Sequence, residues 1–369
     1  MRRLGGGTHL VDRLVLLPDP RGRRGRRHSL VSVLLVAASA VLAGARSFRA
    51  IGQWAAAAPQ HTLDRLGARA VSAFGVCLAP STSTIRRVVG TVCPGGLADL
   101  TGADPAGTDT LAVDGKTVRG SRRGDTPAAH LLAAVTATGR TVTQVRVPDK
   151  TNEITCFAAL LAQFDLEGVV VTADALHTQR AHARFLVEEK KAHYLLVVKA
   201  NQPALHRTLR SLPWTQVTAR HYQRGSGHGR RETRVTRTLT VTDLGLDFPY
   251  AVQASKITRY RTDLRTGLRT RQTVYALTDM THQQASPQRT GELARSQWTI
   301  ENRLHFVRDP AFAEDASKIR TGHGPANMAT LRNLAINTLR DHGHTSIAAG
   351  LRHVSYEPFT RPLDLLSIP

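Results

Sequence analysis

Leu111-Ala-Val-Asp114 and Val169-Val-Val-Thr-Ala-Asp174 decide the architecture, because each is a short apolar run that stops at an aspartate. Runs of this length, rich in β-branched residues and bounded by polar ones, read as buried strands; a helix needs a longer periodic segment. The neighbouring sequence agrees. Leu131 to Ala137 and Thr141 to Val147 read as two more strands, followed by a helix from about Asn152 to Phe164. A second helix from about Gln179 to Glu189 leads into the strand Tyr194-Leu-Leu-Val-Val198. Three strands, a helix, a strand, a helix and a strand specify an α/β arrangement around a mixed sheet.

Further downstream, Thr233 to Thr242 and Tyr250 to Thr278 alternate in a β manner. They place Arg234, Arg237, Arg259, Arg261, Arg269 and Arg271 on what should be the solvated face. A β-rich insertion over 215–285 follows from this. It leads to helices from about Thr290 to Val307 and from about Pro325 to Asp341. Upstream, residues 1–29 hold a Gly/Arg/Pro run that buries nothing and reads as a mobile basic arm. Residues 30–105 read as a helical domain, with one or two helices between Leu30 and Ala57. Pro80-Ser-Thr-Ser-Thr-Ile-Arg-Arg87 supplies hydroxyl caps for a short helix that presents Arg86 and Arg87. That helical domain suits a helix-turn-helix-like nucleic-acid contact and equally a purely structural role. Residues 106–214 hold the first part of the α/β core, 286–345 its helical completion, and 346–369 a tail.

The chain has 369 residues, room for two or three domains with a sizeable core. Fifty Lys and Arg against 28 Asp and Glu leave a formal net charge of +22. This excess suits a polyanion, because each phosphate neutralised releases condensed counterions. The bland alternative is an Arg-rich codon bias, since Ala and Arg abound throughout. Cys77, Cys93 and Cys156 are too few and scattered for a disulfide framework or a zinc finger, and a reducing cytoplasm fits. The apolar run from Leu30 to Ala45 contains Ser32 and Ser39 and falls short of the roughly 20 residues that span a bilayer. It passes into Arg46-Ser-Phe-Arg49 without a cleavage site, so it reads as a buried helix and no membrane partner is expected.

Asp114 and Asp174 stand where two apolar strands stop, the arrangement that aims two carboxylates at one point. A third acid lies in Arg295-Ser-Gln-Trp-Thr-Ile-Glu-Asn-Arg-Leu-His-Phe-Val-Arg308. On a helix, Leu293, Ile300, Leu304 and Val307 form the apolar stripe, while Gln297, Glu301, His305 and Arg308 share another face. Three convergent carboxylates suit a pair of hard divalent cations about 4 Å apart. Singly each is weak: a strand-ending Asp is more often a cap, and a helical Glu is usually just solvated. Trp298 on this helix reads as a core residue.

Several motifs occur in order: Val113-Asp-Gly-Lys-Thr-Val-Arg-Gly-Ser121, Thr172-Ala-Asp-Ala-Leu-His-Thr-Gln179, Val198-Lys-Ala-Asn-Gln202 and His228-Gly-Arg-Arg-Glu-Thr-Arg234. They continue with Trp298-Thr-Ile-Glu-Asn-Arg-Leu-His305, Phe312-Ala-Glu-Asp315 and Pro325-Ala-Asn-Met-Ala-Thr-Leu-Arg332. Over about residues 18 to 341 the chain resembles the H-repeat-associated group of bacterial DDE insertion-sequence transposases. The resemblance implies an RNase-H-like core interrupted by a β insertion, with Asp114, Asp174 and Glu301 as the DDE acids. It implies two Mg²⁺ ions, replaceable by Mn²⁺, with Asp114 bridging both and the other two acids each completing one shell. Double-stranded DNA is then the partner, as terminal inverted repeats and as target, and a homodimer synapses both ends at the nucleoid. Related transposases carry a Tyr, an Arg and a Lys around the Glu; here Ala294, Gln297 and Arg308 stand there, so only the last keeps a charge.

Within the quoted motifs Lys116, Arg119, Lys199, Asn201, His228, Arg230, Arg295, Asn302, His305 and Arg308 form the DNA-facing set, and His177 a possible phosphate contact. For His177 a satisfied loop histidine is the competing reading, and for the lysines plain surface charge. Two rival functions remain beside the transposase: an inactive remnant that binds DNA, and an RNase-H-like nuclease. A membrane-anchored protein is a third, excluded if the chain is soluble without detergent.

Overall fold

The structure, a computed structural model, describes residues 9–71 and 75–369; residues 1–8 of the expected basic arm lie outside these. The chain opens with helices α1 (Leu10–Val15), α2 (Leu30–Leu42), α3 (Phe48–Ala57) and α4 (Gln60–Arg65). A ribbon of β1 (Arg69–Val71) and β2 (Val76–Leu78) follows, then α5 (Thr82–Thr91) and α6 (Pro94–Thr101). Serine hydroxyls start three of these helices: Ser29, Ser47 and Ser81 accept from the backbone N–H of Ser32, Ala50 and Thr84.

Next come β3 (Thr110–Thr117), β4 (His130–Thr136), β5 (Thr141–Val147), α7 (Glu153–Leu161), β6 (Val170–Ala173), α8 (Arg180–Arg184), β7 (His193–Val198) and α9 (Pro203–Ser211). Four long strands follow: β8 (Arg220–Gly227), β9 (Arg230–Thr240), β10 (Gln253–Asp263) and β11 (Arg269–Thr278). The chain ends in α10 (Pro287–Ser296), α11 (Trp298–Ile300), a π turn (Glu301–His305), α12 (Phe306–Phe312), α13 (Gly324–Asp341), α14 (Ile347–Ser355) and α15 (Arg361–Leu365).

Nine strands form one mixed sheet in the order β5-β4-β3-β6-β7-β11-β10-β9-β8. Only β3–β6 and β6–β7 are parallel pairs. The expected strands 131–147, 169–173 and 194–198 are all present. Alternation sorts β3: Leu111 and Val113 pack with Phe157, Leu161 and Tyr194 on one face, and Ala112 packs with Ile300, Leu304 and Leu331 on the other.

The expected β strands over 215–285 are present, and they extend the sheet: β11 pairs with β7 through Tyr275↔Val198 to Thr278↔Leu195. Its arginines do not share one face. The register aligns Arg259 with Arg234, and Arg261 with Glu232, whereas Arg237 lies opposite Lys256 and Arg271 opposite Tyr260. Period 2 therefore puts Arg234, Arg259 and Arg261 on one side and Arg237, Arg269 and Arg271 on the other. The first three are held by one carboxylate, Glu232, at 2.5, 2.5 and 3.2 Å.

The N-terminal expectation changes. The arm does not stay loose beyond residue 9: Leu10, Leu14 and Leu17 are buried in the main core, and Arg21 forks onto Asp19 at 2.8 Å. The tail is helical and docked. Trp54 Nε1 donates to Pro358 O at 3.0 Å, its ring meets Phe359, and Leu363, Leu366 and Ile368 are buried. Apolar spacing within these short segments is enough to seat them once a core exists. The Leu30–Ala45 run is a buried helix, α2, packed by α1, α3, α5, α13 and α15. Among the described residues no helix is long and apolar enough to cross a membrane.

Behind α12 lies a fully buried ionic cluster. Glu314 takes Arg308 Nε at 3.0 Å and Arg332 Nη1 at 2.9 Å, and all three side chains are at most 1% exposed. Arg308 also reaches Gln144 on β5 and Asn333 on α13. Removing the single anion would leave two guanidinium groups charged in a dry site, so Glu314→Ala should cost on the order of 3–5 kcal/mol. Urea denaturation of the two proteins checks this; a loss below about 1 kcal/mol, the level of a surface pair, would contradict it.

Candidate active site

Backbone pairing sets the two aspartates side by side. The parallel ladder between β3 and β6 ends at Val113↔Ala173, so Asp114 and Asp174 are the next residues on neighbouring strands, which lie about 4.8 Å apart. Beyond this point β6 stops while β3 continues against β4, and the strands part. Asp174 caps the turn that follows, its Oδ1 accepting from Leu176 N at 2.8 Å. The Lys199-Ala-Asn-Gln202 segment pins that turn: Asn201 Nδ2 donates to Ala175 O at 2.8 Å and Gln202 Nε2 to Thr178 O at 2.7 Å.

One amide brings the third acid in. Gln297 Nε2 donates to Val113 O at 2.9 Å, and its Oε1 accepts from Thr172 Oγ1 at 2.8 Å. The helix carrying Glu301 is thereby fastened to both aspartate strands. A π turn then spans Glu301–His305 and sets His305 Nδ1 3.3 Å from Glu301 Oε2 and 3.8 Å from Asp114 Oδ2. Donor atoms of Asp114, Glu301 and His305 all lie within 4.8 Å of one another, a group that could hold a metal ion. Asp174 stands outside that triangle, near enough to act on Asp114 electrostatically.

Burial raises the Asp114 pKa to about 6; the Gly115 N–H opposes this, and the charges of Asp174, Glu153 and Glu301 add to it. A carboxylate that loses water on burial and has other anions nearby behaves this way. Glu301 is shifted down, first by its hydrogen bond from His305. His305 is pushed down by burial. The donor set fits a divalent cation: a strand supplies one carboxylate and the π turn a second carboxylate and an imidazole, and the group with the raised pKa is the one a cation would relieve.

The remaining expected site residues divide. Arg119, Lys199, Asn201, His228, Arg230, Arg295 and Asn302 are exposed. Lys116 is tied to Asp309 at 2.8 Å. Arg308 offers no surface to a phosphate, because it is sealed in the Glu314 cluster. The cause is the π turn: its wider coil rotates everything after it by about a quarter turn, and Arg308 swings from the Glu301 face into the core. His305 is likewise buried, 2% exposed, and meets the acids rather than solvent. His177 is buried and bonded through Nε2 to Glu153 Oε2 at 3.0 Å, while its Nδ1 has no partner among the described residues. Trp298 is not core but 60% exposed, since it lies about 200° around the helix from buried Ile300. Glu153 and His130 carry no signal in the sequence; Asn152-Glu153-Ile154 reads simply as a capped helix start.

A sequence model described as the transposase DDE domain matches residues 105–338, more than half of the chain. The chain belongs to the DDE transposase family. Residues 11–102 match a second model, described as DDE_Tnp_1-associated. "Putative transposase YncI" of Escherichia coli O157:H7 is 29% identical over 352 residues, covering 90% of this chain and 87% of that protein. "H repeat-associated putative transposase YhhI" of Escherichia coli K12 is 27% identical over 366 residues, 93% of each. An "Uncharacterized protein in dhlA 3'region" of Xanthobacter autotrophicus is 37% identical over 234 residues, 59% of this chain and 76% of that one. The resemblance to the H-repeat-associated group therefore holds across nearly the whole length.

A pH experiment checks the electrostatics of this DDE-family site. The Asp114 pKa is raised on folding, so the carboxyl favours the native state while protonated, and that contribution fades as pH rises from about 4 to about 6. Asp114→Asn imitates the protonated form. Metal-free, the variant should match the wild type near pH 4 and melt several degrees higher at pH 7 and above. Equal melting temperatures across that range would contradict the crowding.

Proposed function

We propose that this protein is the transposase of an insertion sequence. It binds the terminal inverted repeats of its element, hydrolyses the end phosphodiester and joins the freed 3′-OH to target DNA. The observation that carries this reading is the convergence of Asp114 and Glu301, from strand β3 and the helix beyond α10, with His305 to within 4.8 Å, beside Asp174. The strand order β5-β4-β3-β6-β7 supports an RNase-H-like core, with β8 to β11 as its insertion.

Asp114, Asp174 and Glu301 would hold two Mg²⁺ ions, which Mn²⁺ could replace. When bound, such ions activate the attacking oxygen and stabilise the leaving one. The protein's part is positional. Gln297 fixes Glu301 relative to both aspartates, Asn201 and Gln202 hold the Asp174 turn, and His305 steadies the Glu301 carboxylate. Asp114 must give up its proton for a cation to be held, so metal affinity should weaken as pH drops below about 6, and activity with it where metal is limiting. Exposed Arg119, Lys199, Asn201, His228, Arg230, Arg295 and Asn302 are the candidate contacts to the DNA backbone. A dimer at the nucleoid would synapse the two ends.

A labelled duplex carrying the element's end, incubated with the protein and Mg²⁺, should yield both a cut strand and a joined product. Glu301→Ala should lower cutting by roughly a thousandfold, equivalent to about 4 kcal/mol of barrier. Cutting that ignores the repeats and never joins would favour a nuclease. Binding without any cutting would favour an inactive remnant.

A further inference from the structure

Glu153 belongs to none of the family motifs discussed above, yet its carboxylate lies against β3 beside Asp114 and acts on that residue's charge. It opens helix α7, behind the N-cap Asn152, and approaches β3 from the face opposite the Glu301 helix. Side chains alternate along β3, so Asp114 and Lys116 face α12, and Gly115 faces α7. A Cβ on Gly115 would lie 2.4 Å from Glu153 Oε1 and 2.7 Å from Oε2. Only a glycine beside Asp114 lets this carboxylate stand so close to the strand.

Both oxygens are fixed. Oε1 meets His130 Nε2 at 2.6 Å, and Oε2 meets His177 Nε2 at 3.0 Å. His130 is braced by Thr117 Oγ1 at 2.8 Å, and buried His177 packs against Phe157 and His182. We propose, resting on the metal reading above, that Glu153 is a fourth acidic member of the active centre, a positioning carboxylate whose charge helps retain the divalent ions, with His130 and His177 holding it in place.

Electrostatics agrees with the geometry. Burial alone would raise the Glu153 pKa, but the bonds from the two histidines outweigh it and hold the group at about 2. Its negative charge is therefore permanent at neutral pH, and it is one of the charges that raise Asp114. A bridge between two imidazoles can be made by a neutral amide, and a helix N-terminus favours a carboxylate only weakly. A fixed charge beside three other acids repels them until a cation arrives. That is the expected cost of a group serving the cation.

The test uses the full-length protein without DNA. Mn²⁺ binding is followed by titration calorimetry, and thermal melting is recorded in EDTA. Glu153→Gln keeps the size and loses the charge. It should melt within a few degrees of wild type and bind Mn²⁺ ten- to a hundredfold more weakly, while Glu153→Asp should recover most of the affinity. Should Glu153→Gln fail to fold, His130→Gln, which frees one carboxylate oxygen, should weaken Mn²⁺ binding in the same measurement. Wild-type Mn²⁺ affinity in a folded Glu153→Gln, or in His130→Gln where the first variant does not fold, overturns the proposal and leaves the metal reading standing. If the wild type itself binds no Mn²⁺, the metal reading falls, and this proposal falls with it.

Discussion

The amide of Gln297 holds this site together. With its nitrogen it grips the carbonyl of Val113, the residue before Asp114, and with its oxygen it takes the hydroxyl of Thr172, two residues before Asp174. Four residues later comes Glu301. The sheet already fixes the two aspartates relative to each other, because parallel pairing sets both strand spacing and register. What pairing cannot fix is a helix nearly two hundred residues away in sequence. A neutral amide suits this position, because it satisfies a donor and an acceptor at once. Where related transposases place an arginine, this chain has a clamp.

Beneath that clamp the support is ionic and dry. Arg308 and Arg332 share Glu314, leaving excess positive charge under the carboxylates, and Arg308 is among the groups that shift Glu301 downward. An arginine whose spacing points toward DNA acts instead from below. Its reach into Gln144 and Asn333 ties α12 and α13 to strand β5, so the floor of the site and the far side of the sheet are one unit.

Much of this is legible in the residues. Asp114 and Asp174 are visible from where apolar runs stop, since a buried strand has few ways to end, and the helical stripe of Leu293, Ile300 and Leu304 places Glu301 off the core. The residues that the sequence misplaces on this helix divide between two causes. A single π turn at Glu301–His305 breaks the 3.6-residue count, so extrapolating helical phase past it sends Arg308 to the wrong side. Trp298 misleads because size suggests burial while phase decides it. The arginines of β9, β10 and β11 do not share one face: Arg234 and Arg237 are separated by parity within β9 itself, and only the register shows how each aligns with β10 and β11. Glu153 is hidden by ordinariness, since a glutamate at a helix start has a sufficient local reason to be there.

The junction between β7 and β11 has a consequence for how the sheet can vary. Val198 and Tyr275 are paired neighbours, so strands β8 to β11 join the first five strands along a single edge. The turns joining β8 to β11 can lengthen or shorten while the acids keep their spacing, because loop closure costs grow only slowly with length, whereas Asn201 and Gln202 still pin the Asp174 turn. Such an attachment point lets the outer edge of the sheet vary without moving the acids.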